Sequence, residues 1–155
     1  MVPCYWETPM RESKMLPADE SVSAKSVILP EASGAVQMFW QGAASGKLLV
    51  QRCQHCGHIW HPPSDVCGKC QSMNIDWVPA SGKGVLYSYT KVQHAVHAAV
   101  QSWIPYILCM VELDEGTRIL SLFDDAKAPP LIGKTVALRF QKMPEGLQLP
   151  IFFHD

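Results

Sequence analysis

The chain is predicted to be mainly β, with an N-terminal arm and a short helix, then a cysteine ribbon, then a C-terminal five-stranded barrel of the OB type. Three observations carry this. Four cysteines form two Cys-x2-Cys pairs, Cys53/Cys56 and Cys67/Cys70, with ten residues between the pairs. After residue 80 the apolar pattern changes to the short period of strands and yields five segments of strand length,. Glu115-Gly116 turns a hairpin and Gly133 opens the fourth segment, and five short strands of this order suit a small closed barrel,.

Residues 1–34 are polar, are broken by Pro3, Pro9, Pro17 and Pro30, and carry five acids against three bases. They read as a flexible or partner-ordered arm. Residues 35–46 place Val36, Phe39 and Trp40 on a helical spacing, with a stop near Gly42 or Gly46,. Residues 47–79 form the ribbon. A strand over 47–52 enters the first Cys pair, Ile59-Trp60-His61 returns from it before Pro62-Pro63, and Trp77-Val78 closes the module,. Residues 80–155 form the barrel, and Gly82-Lys83-Gly84 reads as a turn and a hinge between the modules,. Its strands are expected over 85–92, 105–113, 117–123, 134–140 and 147–153. Tyr87 and Tyr89 share a face with Val85, Glu115-Gly116 turns the hairpin, and Pro150 weakens the last strand,. Residues 93–102 are compatible with a helix or a long loop.

Each Cys-x2-Cys turn can aim two sulfurs at one point, and two such turns complete a tetrahedron around one metal ion. Cys53, Cys56, Cys67 and Cys70 are therefore the expected ligands. Thiolates in a tetrahedron suit zinc or iron; a ribbon without a redox cofactor domain favours one structural zinc. Four sulfurs leave no position for water, so the ion braces a segment too short to own a core and activates nothing. Gly57 follows the first pair, where the chain leaves with positive φ, while Gln71 stands at the matching place in the second,. His55, His58 and His61 crowd the first pair, and one could replace a cysteine ligand, although four thiolates already suffice. Cys109 lies in the apolar run Ile107-Leu108-Cys109-Met110-Val111 and reads as a buried free thiol, with neither the base nor the electropositive setting of a nucleophile,. His94 and His97, three apart, could share a helix face and work with Asp114 or Glu112 as an acid–base set, or lie at a partner interface,.

Charge narrows the classes. Thirteen bases and fourteen acids give a net charge of −1, and residues 78–155 are balanced, so the basic groove of a nucleic-acid-binding barrel is missing even though Tyr87 and Tyr89 could stack bases,. No apolar run has the length of a membrane helix, and the start lacks the pattern of a signal peptide, so a cytoplasmic chain with reduced cysteines is expected. Only 17% of residues are charged, against about 25% in a typical domain, which hints at a partner,.

Several segments in fixed order resemble a known family. They are Phe39-Trp40, residues 48–56 and 67–70, the run Gly82-Lys83-Gly84-Val85-Leu86-Tyr87-Ser88, Pro105-Tyr106, the run Val111-Glu112-Leu113-Asp114-Glu115-Gly116, and Gly133-Lys134-Thr135-Val136. Together they span residues 38 to about 142 and resemble the DUF35 family, a rubredoxin-like zinc ribbon followed by an OB-fold. The resemblance implies a non-catalytic subunit of a hetero-oligomer. Its partner would be a thiolase-fold acyltransferase acting on acyl-CoA and making or breaking carbon–carbon bonds, or else an acyl-CoA hydratase or aldolase. In such assemblies the partner owns the catalytic residues, and this chain helps assembly and shapes the acyl channel. Phe39, Trp40, Trp60, His94, His97, Trp103 and Tyr106 are then the candidates for partner or channel contacts. Lys47, Arg52 and Lys91 could meet CoA phosphates.

Overall fold

A computed structural model describes residues 34–95, 97, 100–124, 130–143 and 146–155. The arm assigned to residues 1–34 lies, apart from Gly34, outside them. A single 3-10 turn, Gly34–Val36, leads into helix α1, Gln37–Ala44. The helix buries Phe39, Gly42 and Ala43. Gly42 sits inside it and not at its end: a Cβ there would lie 2.7 Å from Leu49 Cγ, so glycine lets α1 approach the first strand,. The stop is Gly46, whose φ of 70° only glycine adopts freely,.

Three short strands follow: β1 (Leu49–Cys53), β2 (Ile59–Trp60) and β3 (Ile75–Pro79). They form an antiparallel sheet with β1 in the centre. The remaining strands are β4 (Lys83–Val92), β5 (Tyr106–Leu113), β6 (Arg118–Phe123), β7 (Thr135–Lys142) and β8 (Gln148–His154). They close in the order β4-β5-β6-β8-β7, with β7 returning to β4. All neighbours are antiparallel except β6 and β8, which run parallel. Alternate residues of β5 (Ile107, Cys109, Val111, Leu113) point into the barrel and meet Leu86, Ile119, Val136 and Phe152,. Pro150 is tolerated because the β6–β8 pairing begins one residue later, at Ile151,.

Two expectations change. Along β4 the register passes from Leu86↔Val111 to Ser88↔Met110, so Tyr87 is a bulge residue and strict alternation stops there,. Val85, Tyr87 and Tyr89 are nevertheless exposed and Leu86 is buried. The segment read as a hinge is a clamp. The Ala80 N–H donates to Leu48 O at 2.8 Å, Ser81 N–H to Glu115 Oε1 at 2.6 Å, Asp114 N–H to Lys83 O at 3.0 Å and Leu138 N–H to Gly82 O at 2.8 Å. Gly82 and Gly84 are both buried, and a Cβ on Gly84 would strike the Glu112 carbonyl. One hydrophobic cluster joins Phe39, Leu48 and Val50 to the barrel interior. A glycine pair that reads as flexible in sequence here permits close backbone packing instead.

Candidate metal centre

The end of β1 delivers Cys53 into a tight turn, and the turn before β3 delivers Cys67 in the same way. In the first, the Gly57 N–H donates to Cys53 O at 2.9 Å and the Cys53 N–H donates to His58 O at 2.8 Å. In the second, Gln71 N–H donates to Cys67 O at 2.8 Å and Cys67 N–H to Ser72 O at 2.9 Å. The two knuckles thus repeat one backbone design. Gln71 adopts φ 61°, matching Gly57 at 72°, so the missing glycine changes the energy of the second knuckle and not its shape,. A Gln54 N–H bond to Asn74 O, 3.0 Å, ties the knuckles together.

The four Sγ atoms lie within 4.8 Å of one another. Cys53 and Cys70 are 3.5 Å apart at sulfur, and Cys56 and Cys67 are 3.7 Å apart. A tetrahedral ion with metal–sulfur bonds of about 2.3 Å requires sulfur–sulfur edges of about 3.8 Å, so these residues fit such an ion. The knuckle backbone prepares the charge. The Cys56 N–H, with help from that of His55, outweighs burial and pulls the Cys53 thiol down to about 6. Burial pushes Cys67 up, but the N–H groups of Cys70 and Lys69 win and lower it. At Cys70 the Ser72 N–H is outweighed by burial and by the three neighbouring sulfurs, which push it up to about 12. Four thiolates crowd one point only when a cation replaces the shared proton.

Among the described residues the ligand cluster holds cysteines alone. His58 stacks on Trp60, ring centroids 5.8 Å apart. His61 packs against Phe39 at 5.1 Å with its Nδ1 buried and unbonded, and burial pulls its pKa down to about 4. Sequence reasoning missed Gln51. It is buried within β1, and its Oε1 accepts the Ser64 N–H at 2.7 Å, fixing the loop that leads to Cys67. A polar residue on a short strand between Val50 and the metal-binding turn was the available signal.

The other candidates are dispersed. Phe39 is 8% exposed, edge-on to Trp40, and belongs to the core. Trp40 is half-buried against that core, and the Trp60 Nε1–H donates to Ser64 Oγ at 3.1 Å. His94 and His97 lie exposed in the β4–β5 connection, outside any helix, which corrects the shared-face reading. Trp103 and Tyr106, both half-buried, stand at the far end of that connection. Val92 pairs with Tyr106, whereas Glu112 and Asp114 are at the other end of β5, about 20 Å away at strand rise,. The proposed His–carboxylate set is therefore not assembled, and Glu112 is engaged by Arg118 at 2.9 Å. Cys109 is fully buried and its thiol is pushed up to about 12 by burial, the inert state expected. Of the cations considered for phosphate, Arg52 pairs with Asp76 at 3.2 Å, while Lys47 and Lys91 are exposed. No helix among the described residues is long and apolar enough to cross a membrane.

A sulfur cage on a three-stranded ribbon, locked to a closed barrel of OB topology, defines a protein of the ribbon-plus-barrel class. Comparison with known proteins agrees. The sequence profile of the ChsH2 rubredoxin-like zinc ribbon domain matches residues 40–76, and that of the ChsH2 C-terminal OB-fold domain matches residues 77–141. A DUF35 domain-containing scaffold protein of Methanocaldococcus jannaschii is 32% identical over 100 residues, 63% of this chain and 70% of that protein. The chain belongs to the DUF35 family. A probable enoyl-CoA hydratase alpha subunit of Thermomonospora curvata is 38% identical over 116 residues, 74% of this chain. The chain spans only 36% of the length of that relative. The solved structure of an Ltp2-ChsH2(DUF35) aldolase superposes with a TM-score of 0.73 at 34% identity, covering 81% of this chain and 98% of the matched one.

Proposed function

We infer that this chain is a zinc-braced accessory subunit of an enzyme complex acting on acyl-CoA thioesters, a hydratase or an aldolase, with the catalytic residues on the partner. The observation that carries the reading is the similarity to the Ltp2-ChsH2(DUF35) aldolase over 98% of the matched chain. The hydratase alpha subunit supports the same substrate class. The chemistry of this chain supports the division of labour. Zinc held by Cys53, Cys56, Cys67 and Cys70 would have a full shell and would fix the knuckles relative to β1 and β3,. The carboxylates of the His–carboxylate set considered from sequence stand at the far end of β5 from the connection that carries His94 and His97.

A thiolase-fold partner that breaks or makes a carbon–carbon bond is the second reading. The aldolase resemblance favours it, since aldolases cleave such bonds. His94, His97, Trp103 and Tyr106 then lie at one barrel end, where a partner's acyl channel could be lined by the β4–β5 connection. The test is affinity purification of the tagged chain from its own cells, followed by identification of the copurifying chain and an assay with acyl-CoA thioesters. A stoichiometric hydratase or aldolase chain, active only in the complex, is the expected result. A chain that elutes alone and turns over thioesters unaided would overturn the reading.

A further inference from the structure

The sulfur cage has an open side. Cys53 and Cys67 are buried and Cys70 is half-buried, but Cys56 is exposed. Its surroundings leave the approach clear: His55 and Gly57 are exposed, and a Cβ on Gly57 or on Gly68 would meet nothing within 4 Å. Two short sulfur contacts run between the knuckles. Cys56 Sγ lies 3.7 Å from Cys67 Sγ, and Cys53 Sγ lies 3.5 Å from Cys70 Sγ. Each contact joins a buried sulfur to a more accessible one. Backbone pairing holds them there. β1 and β3 stay in register as far as Cys53↔Ile75, and the Gln54 N–H bond to Asn74 O carries the pairing past the strand ends. Cys109 is the contrast, fully buried with its thiol donating to Leu122 O at 3.6 Å.

We propose that Cys56 is an oxidation site, the entry point for hydrogen peroxide, and that its oxidation converts the ligand set into two cross-knuckle disulfides. The proposal rests on the zinc reading of the cage. Thiolate character and exposure decide which cysteine reacts, and a neighbouring thiolate decides whether a bridge results. With the cage filled all four sulfurs are thiolates, so exposure makes the choice and selects Cys56. The Cys56 thiolate attacks a peroxide oxygen, the O–O bond breaks, hydroxide leaves, and the oxidised sulfur is a sulfenic acid. The Cys67 thiolate, 3.7 Å away, then attacks the Cys56 sulfur; an S–S bond forms, the S–O bond breaks and a second hydroxide leaves,. A second peroxide does the same at Cys70, with Cys53 as the resolving thiolate. Four thiolates and two peroxides thus give two disulfides and four hydroxides. No thiolate remains to hold the ion, while the knuckles stay tied at the same two points, so a dithiol reductant and zinc restore the original state.

The test is a titration of the zinc-loaded full chain with hydrogen peroxide, its zinc content measured first. A chromophoric chelator reads the released ion. Mass spectrometry reads the bridges in peptides cut after Arg52, Trp60 and Lys69, which keep Cys53 and Cys56 together and separate Cys67 from Cys70. The expected result is one ion released by two peroxides, a Cys56–Cys67 bridge ahead of Cys53–Cys70, and Cys109 still reduced. In Cys56→His, which keeps a four-ligand shell without the exposed sulfur, release should slow at least about 10-fold. Bridges within the knuckles, Cys53–Cys56 and Cys67–Cys70, overturn the proposal. So does retention of zinc, over-oxidation of Cys56 with no bridge, or a zinc-loaded Cys56→His that releases its ion at the wild-type rate. If that variant takes up no zinc, the wild-type peptide map decides alone. A wild-type chain that cannot be loaded defeats the zinc reading and the proposal with it, whereas a loaded chain with any other bridge pattern defeats the proposal alone.

Discussion

The ribbon and the barrel reach a fixed structure by different means. In the barrel every strand contributes at least one buried side chain, and Leu86, Val111, Ile119 and Phe152 meet in one buried cluster. In the ribbon β2 and β3 bury none completely, and its sealed positions are Leu48, Val50, Gln51, Cys53 and Cys67. Burial supports the first, and sulfur–metal bonds must support the second. The clamp at residues 80–83 joins these two regimes. It fastens a module that depends on an ion to one that does not, so loss of the ion need not unfold the barrel.

Stripping the metal should produce the largest effect and the sharpest contrast. With a strong chelator, or in Cys67→Ser, amide exchange of β1–β3 should accelerate at least about 1,000-fold while β5 and β6 stay protected. Equal loss in both regions would break the comparison. Next in size, Phe152→Ala removes a fully buried ring from the barrel and should cost about 3–5 kcal/mol in denaturant titration, with zinc content unchanged,.

His61 sharpens the comparison at the junction of α1 and the ribbon. Its folded pKa of about 4 lies below the unfolded value of 6.5, so the unfolded chain takes up the proton first. The contribution of His61 should be flat above pH 6.5 and be lost as the pH drops towards 4, by about 2 kcal/mol after allowance for partial exposure. In His61→Phe that slope should flatten, as read from denaturation midpoints across this window. The smallest expected effect is a gain. Gln71→Gly removes the strain of a left-handed glutamine and should stabilise the metal-loaded chain by about 1 kcal/mol, whereas Gly57→Ala should lose a similar amount,.

Much of this was legible in the sequence because the signals were local. The cysteine spacing placed the cage, and the period of residues 105–123 placed the β5–β6 hairpin. What escaped depended on non-local contacts. Gly82-Lys83-Gly84 looked like a hinge because sequence does not show that Glu112 and Leu138 press against it. His94 and Asp114 looked like possible partners because spacing does not reveal that a whole strand separates them. Gln71 looked like a defect because the energetic cost of a left-handed glutamine was visible and the hydrogen bonds holding it there were not.

The account rests on a filled coordination shell, and X-ray absorption at the zinc edge of the purified protein tests it most directly. Four sulfur scatterers at about 2.3 Å and no nitrogen or oxygen are predicted. A light-atom ligand in the shell, or a folded protein holding no metal, would contradict it.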